Sequence, residues 1–480
     1  MAFKYVLIYP LLFAVITGCM FHGNTPIAKA PEAFSVDNHQ NPEKELPAHP
    51  WWSDVGSSEL NDLVAEALKN NRKVAMAIKN VETAQSSLDT IRLGWLPMIN
   101  LMAGRVQGNT TVLLPNLPLP LSSAGGFAAF LPTWIVNVVQ LPNQTKAAQR
   151  QVEASAADYL ALRAAVAAQV VSAYAVLLAS IEERQILDAL KDNLQVRTNT
   201  TRAMLDRGLS AEVSFIELDS EMQKLDAQIA INKSNRIAAK NALLTLVGRE
   251  IHLFTPLENF DRLNLDHIAP GNTPTSVLAT RPDVVAARAK IEAADYGISS
   301  TASLFAPVPT FSTANVRATS SNNGTDSTTY GNMQSGLALW ALDPQFIGMI
   351  STKNKQYDAS IINYLDVVDN AMKEVDDALA NFEANQAKLV KEERSLGNSD
   401  KNLGTYNAMY RQGLLSQSQY LESAARFDLA RIAILQTKTQ AVISLSKLYQ
   451  SMGGGATYGE NNYSLKDQTL VEKDRETTKN

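Results

Sequence analysis

The chain has 480 residues, 45% of them hydrophobic, with a formal net charge of −5. That apolar content supports a folded protein and excludes general disorder, while lysines and arginines scattered along helical segments form no basic stripe for nucleic acid. Cys19 is the one cysteine, so an intrachain disulfide is excluded, and the length suits two or three ordinary domains or one very elongated one.

Met1-Ala2-Phe3-Lys4 reads as a short n-region with one positive side chain, followed by an apolar h-region from Tyr5 to Ile16. That stretch is too short for a membrane span of ~20 residues and suits a signal peptide over 1–18. Ile16-Thr17-Gly18-Cys19 resembles the bacterial lipobox, in which the cysteine thiol takes a diacylglyceryl group. The lipobox prefers Leu where Ile16 stands, and an ordinary secretory signal with a chance cysteine is the competing reading. Met20 follows the cysteine, so the resemblance gives no sign of retention at the inner membrane. Residues 19–50 are polar and proline-bearing and read as a lipid-anchored tether. No later segment approaches 18 uninterrupted apolar residues, which predicts no transmembrane helix in the mature chain.

The remainder is an internal duplication. A shift of 205 positions aligns residues 151–248 with 356–453 without a gap, matching Tyr159 to Tyr364, Met204 to Met409, Gly208 to Gly413, Glu217 to Glu422 and Gly248 to Gly453. Upstream the offset becomes 210, matching Ala77 to Ala287, Glu82 to Glu292 and Pro97 to Pro307. The first structural repeat is placed at 51–250, a connecting segment at 251–280, the second repeat at 281–455 and a polar tail at 456–480.

Each copy opens with a helical segment, 58–94 or 282–304, that ends at Pro97 or Pro307, because proline lacks the amide donor and restricts the residue before it. Two strand-like stretches come next, flanking Pro115–Gly126 in the first copy and Ser320–Asn332 in the second, both of which read as turn or loop. Strand alternation is visible in Leu337-Ala338-Leu339-Trp340 and blurred in Phe311–Thr319. Beyond them lies a very long helix, 144–205 or 350–410. In the first copy Val152, Ala156, Tyr159, Val166, Val170, Ala173 and Leu177 recur as in a coiled-coil seam, interrupted by Arg163. Arg207-Gly208-Leu209-Ser210 and Gln412-Gly413-Leu414-Leu415 then end these helices, and return helices run over 212–246 and 416–451.

Enzyme chemistry has no foothold in the motifs: GxxxxGK[ST], HExxH and GxSxG are absent, and the five histidines lack close metal-ligand spacing. The expectation is a non-enzyme without metal or other cofactor.

This order of elements resembles the outer-membrane efflux proteins, the TolC-like channels, and within them the lipidated OprM and NodT type. Trp51-Trp52, Arg281-Pro282-Asp283-Val284, the paired glycine turns and the ending from Leu448-Tyr449 to Gly453-Gly454-Gly455 carry the resemblance, which spans roughly residues 50–455. It implies a mainly α fold with membrane β-strands, in which a homotrimer forms a 12-strand β-barrel continuous with a coiled-coil α-helical tunnel. Strand count argues separately for an oligomer if the strands enter the membrane, because four strands cannot close a barrel.

The resemblance further implies an outer-membrane, lipid-anchored exit duct of a tripartite system, passively conducting small molecules such as drugs. Its partners would be a periplasmic membrane-fusion adaptor and an inner-membrane pump of the RND type, with no nucleic acid. The adaptor would meet the tip turns Arg207, Gly208, Leu209, Ser210, Gly413, Leu414 and Leu415. Relatives narrow the closed pore with acidic residues just inside the tip. The matching positions here are Gln419 and Glu422, with Glu217 in the first copy, and Gln419 departs from the acidic pattern. The competing class is a periplasmic coiled-coil structural or adaptor lipoprotein without a membrane barrel.

Overall fold

In a computed structural model of the chain, a 3-10 turn at Trp51–Val55 precedes the first α-helix, which begins at a serine. The described residues are 51–454 apart from 107–109, 115–116, 122–123, 136, 249–255, 257, 264–280, 323–324 and 340–342. Cys19 with its signal peptide, the tether to residue 50, most of the connecting segment and the tail 456–480 lie outside the described residues. Ser57 accepts from the Leu60 amide at 3.0 Å and caps α1 (Ser58–Asn70). A new helix, α2 (Arg72–Leu93), starts immediately afterwards. The single helix expected over 58–94 is therefore broken at Asn71, whose backbone is extended. Its Oδ1 accepts from the Lys73 amide at 2.8 Å, a side-chain bond that competes with helix continuation.

The next elements are β1 (Met98–Val106), β2 (Thr110–Leu114), β3 (Leu117–Leu121) and β4 (Ala124–Ile135), then α3 (Gln140–Leu205) and α4 (Glu212–Val247). The second copy supplies α5 (Pro282–Ala302), β5 (Val308–Asn322), β6 (Thr325–Leu339), α6 (Gln345–Arg411) and α7 (Gln417–Ser451). Both long helices begin four to five residues earlier than the sequence suggests. Pro142 is tolerated there because it lies in the first turn, where amides have no intrahelical partner. The expected loops are corrected too. Leu117–Leu121 pairs with Thr110–Leu114, and β5 and β6 continue until Asn322 stands opposite Thr325. The Ser and Thr of these stretches suggest loop, but an antiparallel ladder satisfies the backbone whatever the side chains.

The chain divides into two compact units. The first, drawn from 80–156 and 286–365, carries the strands. Its main sheet is antiparallel in the order β1-β4-β5-β6, so β4 and β5 join the two copies, with Ala129 opposite Val316. Along one face run Met102, Ala129, Leu131, Ala314, Val316 and Met333, where Ala129, Leu131, Ala314 and Val316 form a small buried cluster. Arg105, Arg317, Asn315 and Asn332 stand on the opposite face. Nearby helices are tied by Arg150, which bridges Glu153 and Glu292 at 2.6 and 2.8 Å.

The second unit is helical and holds the main core. Val166, Ala167, Val170, Val171, Tyr174, Ala175 and Leu177 of α3 are all buried, a wider stripe than the coiled-coil seam expected. An 18-residue window of α3 reaches mean hydropathy 2.0 and is 67% buried, so its apolarity matches a core helix covered by protein. Trp51 stacks on Tyr449 with ring centroids 4.8 Å apart, and burial pushes the Tyr449 hydroxyl up to about 12. Tyr174 donates to Glu59 at 2.8 Å, and burial together with that bond raises its pKa.

Equivalent joints close the two copies in this unit. Asn71 Nδ2 donates to the Leu246 carbonyl at 2.8 Å. In the second copy Arg281 Nη1 donates to the Ser451 carbonyl, also at 2.8 Å. These acceptors lie 205 residues apart, and the helices ending there are succeeded by Gly248 and Gly453, both with positive φ. Arg281 does more than Asn71, since it also reaches the Ala371 carbonyl at 3.2 Å and the carboxylates of Asp283 and Glu374. Burial opposes its charge, and the hydrogen bonds and charges of Asp283 and Glu374 outweigh that cost, raising its pKa. Replacing Arg281 by Met strands two carbonyls and should lower stability by about 2–3 kcal/mol, read as a drop in the melting temperature of the detergent-extracted protein. Unchanged melting would show that Arg281 is not a structural tie.

Candidate functional site

Two glycine turns in the helical unit form the candidate site. Gly208 and Gly413 share φ of +73°, a left-handed backbone that favours glycine. The Gly208 amide donates to the Leu205 carbonyl at 2.9 Å and the Leu209 amide to Met204 at 2.8 Å. Gly413 donates to Tyr410 and Leu414 to Met409, each at 2.9 Å. Both turns are thus Schellman caps, built from the same bonds 205 residues apart. Each pushes one apolar side chain outward. Leu209 is 73% exposed and Leu414 64%. Arg207 is exposed as well, while Ser210 and Leu415 are half-buried. No heavy atom lies within 4 Å of a Cβ built on either glycine, so the turns face open space.

The return helices start differently. Ser416 Oγ accepts from the Gln419 amide at 3.3 Å, and Gln419 Oε1 accepts from the Ser416 amide at 3.0 Å, closing a capping box. The Gln419 side chain, expected at a pore constriction, is therefore engaged in starting α7. Ala211 occupies the matching cap of α4 and makes no side-chain bond. Glu422 pairs with Arg426 one turn along at 2.5 Å, and Glu217 is exposed.

Aromatic contacts back each turn. Tyr410 stacks on Tyr420 at 5.3 Å, while Arg202 lies over the Phe215 ring at 5.3 Å. Asn193 Nδ2 also donates to the Leu421 carbonyl at 2.8 Å, tying α3 to α7 near the turns. The Ser416-Gln417-Ser418-Gln419 pattern is a legible signal for the cap. Nothing in spacing alone announces the Tyr pair.

Farther from the turns, Glu183 accepts from Asn232 at 2.8 Å and from Gln436 at 2.9 Å, joining α3, α4 and α7. Burial raises the pKa of neighbouring Glu182, with Asp261 adding repulsion. Among the described residues no group of three His, Cys, Asp or Glu side chains could hold a metal ion. The geometry offers exposed apolar turns on rigid helices and an open-edged sheet, a scaffold for contact and assembly.

Comparison with known proteins agrees with this architecture. The chain is 25% identical to outer membrane protein OprJ of Pseudomonas aeruginosa, over 93% of this chain and 95% of that one. It is 21% identical to a probable outer membrane lipoprotein, SilC, of Salmonella typhimurium, over 94% and 99% of the two chains. Its fold matches the CmeC outer membrane channel of Campylobacter jejuni with a TM-score of 0.77 at 17% identity, covering 94% of this chain and 97% of that one. These likenesses to outer-membrane proteins over nearly full length do not favour the adaptor alternative. The family model for outer membrane efflux proteins matches residues 63–249 and 273–454, so the duplicated chain belongs to the outer membrane efflux protein family.

Proposed function

We propose that three copies of this chain assemble into the exit duct of a tripartite efflux system, passively passing small molecules such as drugs out through the outer membrane. The observation that carries this reading is the sheet order β1-β4-β5-β6, in which β1 and β6 have no further strand partner among the described residues. In hydrocarbon an unpaired edge leaves several amides and carbonyls without partners, each costing several kcal/mol. Four strands are too few to close on themselves, and three copies supply 12 by pairing β6 of one with β1 of the next.

The two sheet faces support an assignment of lipid and lumen. One bears Arg105, Arg317, Asn315, Asn332 and Gln334, while the face of Ala129, Val316 and Met333 has no ionisable side chain. An arginine facing lipid near the bilayer midplane costs about 2–4 kcal/mol, so the polar face is read as the lumen.

Cys19 carries the lipid anchor in this reading, through its lipobox. Leu209 and Leu414 at the Schellman turns are the adaptor contacts, since both are apolar, exposed and held on fixed backbone. An inner-membrane pump of the RND type would supply energy and selection. Glu422 and Glu217 are the carboxylates that would favour cations near the turns, with Gln419 reserved for its cap.

The central test is extraction of outer membrane in detergent, then electrophoresis before and after heating. A heat-modifiable trimer that conducts ions in planar bilayers is expected, and a soluble monomer after removal of the lipid would overturn the reading. Cys19→Ser should abolish palmitate labelling, and persistent labelling would exclude that residue. Leu209→Asp combined with Leu414→Asp should leave the trimer intact and weaken adaptor binding by about tenfold or more. Undiminished binding by the double variant would move the contact elsewhere.

A further inference from the structure

The polar face of the main sheet holds a trough of about 540 Å³ whose make-up is set by the register. One row across the strands is Leu101, Phe130, Asn315 and Asn332. The next row on that face is Ala103, Ala128, Arg317 and Tyr330, and the row after it begins Arg105, Gly126. Small residues at 103 and 128 leave a notch in the trough floor with Arg317 on the neighbouring strand, and Arg105 stands one row beyond the trough lining. Arg317 lies over the Tyr330 ring at 5.8 Å, and these three rows contain no carboxylate. Beside the notch, Leu101 is 77% exposed and Phe130 41% exposed, giving one apolar wall.

We propose that this trough is a binding site for an organic anion with an apolar body. The guanidinium of Arg317 takes the anionic group, because guanidinium donors bind carboxylate or sulfonate oxygens in a fork, and Arg105 adds positive charge from one row beyond the trough. The facing amides of Asn315 and Asn332 donate to its remaining oxygens, and Leu101 and Phe130 cover its carbon skeleton. Small side chains at Ala103 and Ala128 make room for it. The site rests on the lumenal assignment of this face, and it gives the duct a local preference for anions in its strand section. An acidic ring near the helix turns would impose the opposite preference.

The test uses the full-length trimer in nonionic detergent with Ala128→Cys, which places a thiol on the trough floor. Background is set by the protein without that substitution, whose cysteine is Cys19 alone. Thiol-reactive methanethiosulfonates carrying a sulfonate or a trimethylammonium group are compared. Relative to their rates with a free thiol in solution, the sulfonate reagent should be favoured about fivefold over the cationic one, and Arg317→Gln should erase that preference. Saturating 1-naphthalenesulfonate should slow modification, while the naphthylmethylammonium ion should not. Inertness to both reagents would place the trough against lipid and overturn the site. A rate ratio no different from that of a free thiol, or protection unchanged by Arg317→Gln, would overturn it as an anion site. Anion-selective, protectable modification in a trimer that passes no current would instead leave the site standing and remove the conducting role.

Discussion

An unpaired strand edge is tolerable in water and prohibitive in hydrocarbon, and that difference governs the whole architecture. Among the described residues four antiparallel strands twist in one direction and end at β1 and β6, far short of a closed cylinder. The missing partners can come from further copies of the same chain, because β1 and β6 run antiparallel at opposite edges and continue the ladder when repeated. The β4–β5 pairing welds the two copies into one continuous ladder, and the helices carry the chain to and from it.

Duplication accounts for the regularity of the helical unit and also for where it departs from symmetry. Asn71 and Arg281 meet carbonyls one repeat step apart, at Leu246 and Ser451. A neutral amide suffices in the first copy, where α1 packs near the joint and Asn71 also caps α2. The second copy uses a longer, charged side chain that gathers Ala371, Asp283 and Glu374 as well. Burying that charge is tolerable because every contact described for it is with an acceptor, two of them carboxylates. The Arg-Pro-Asp-Val motif is thus a structural knot, with Asp283 Oδ1 also accepting from the Val284 amide at 2.9 Å.

Helices are legible because their signals are local and repeated. The paired glycines, the prolines at 97 and 307 and the 205-residue step place most helix ends within a few residues. The break at Asn71 is not visible, since one asparagine in a helical run becomes a cap only when a tertiary partner such as the Leu246 carbonyl holds it. Strands are harder to read. Leu117-Pro118-Leu119-Pro120-Leu121 looks like a loop, yet it pairs with β2, and among the described residues no further strand joins its other edge, where proline's missing donor costs little. Ser320–Asn332 reads as a linker because its Ser, Asn, Thr and Gly show no hydrophobic alternation, although Asn323-Gly324 is itself a hairpin signal in sequence. The site divides the same way. Exposed leucines at the turns are readable from the glycine pattern, whereas the arginine-flanked notch exists only through strand register, which the sequence alone does not specify.

The two turns show how identical backbone can acquire unequal stability. Their Schellman bonds match within about 0.1 Å, and both glycines have the same φ. The helix starts beyond the turns do not match. The second copy adds a capping box, worth about 1 kcal/mol, and a Tyr410–Tyr420 stack, worth about 0.5–1.5 kcal/mol. The first copy has Ala211 at the cap position and an exposed Arg202 over Phe215, worth about 0.5–1 kcal/mol. Fraying should therefore begin at the start of α4 before the start of α7. Ser416 and Gln419 account for the difference, since together they close a reciprocal cap that Ala211 has no side chain to begin.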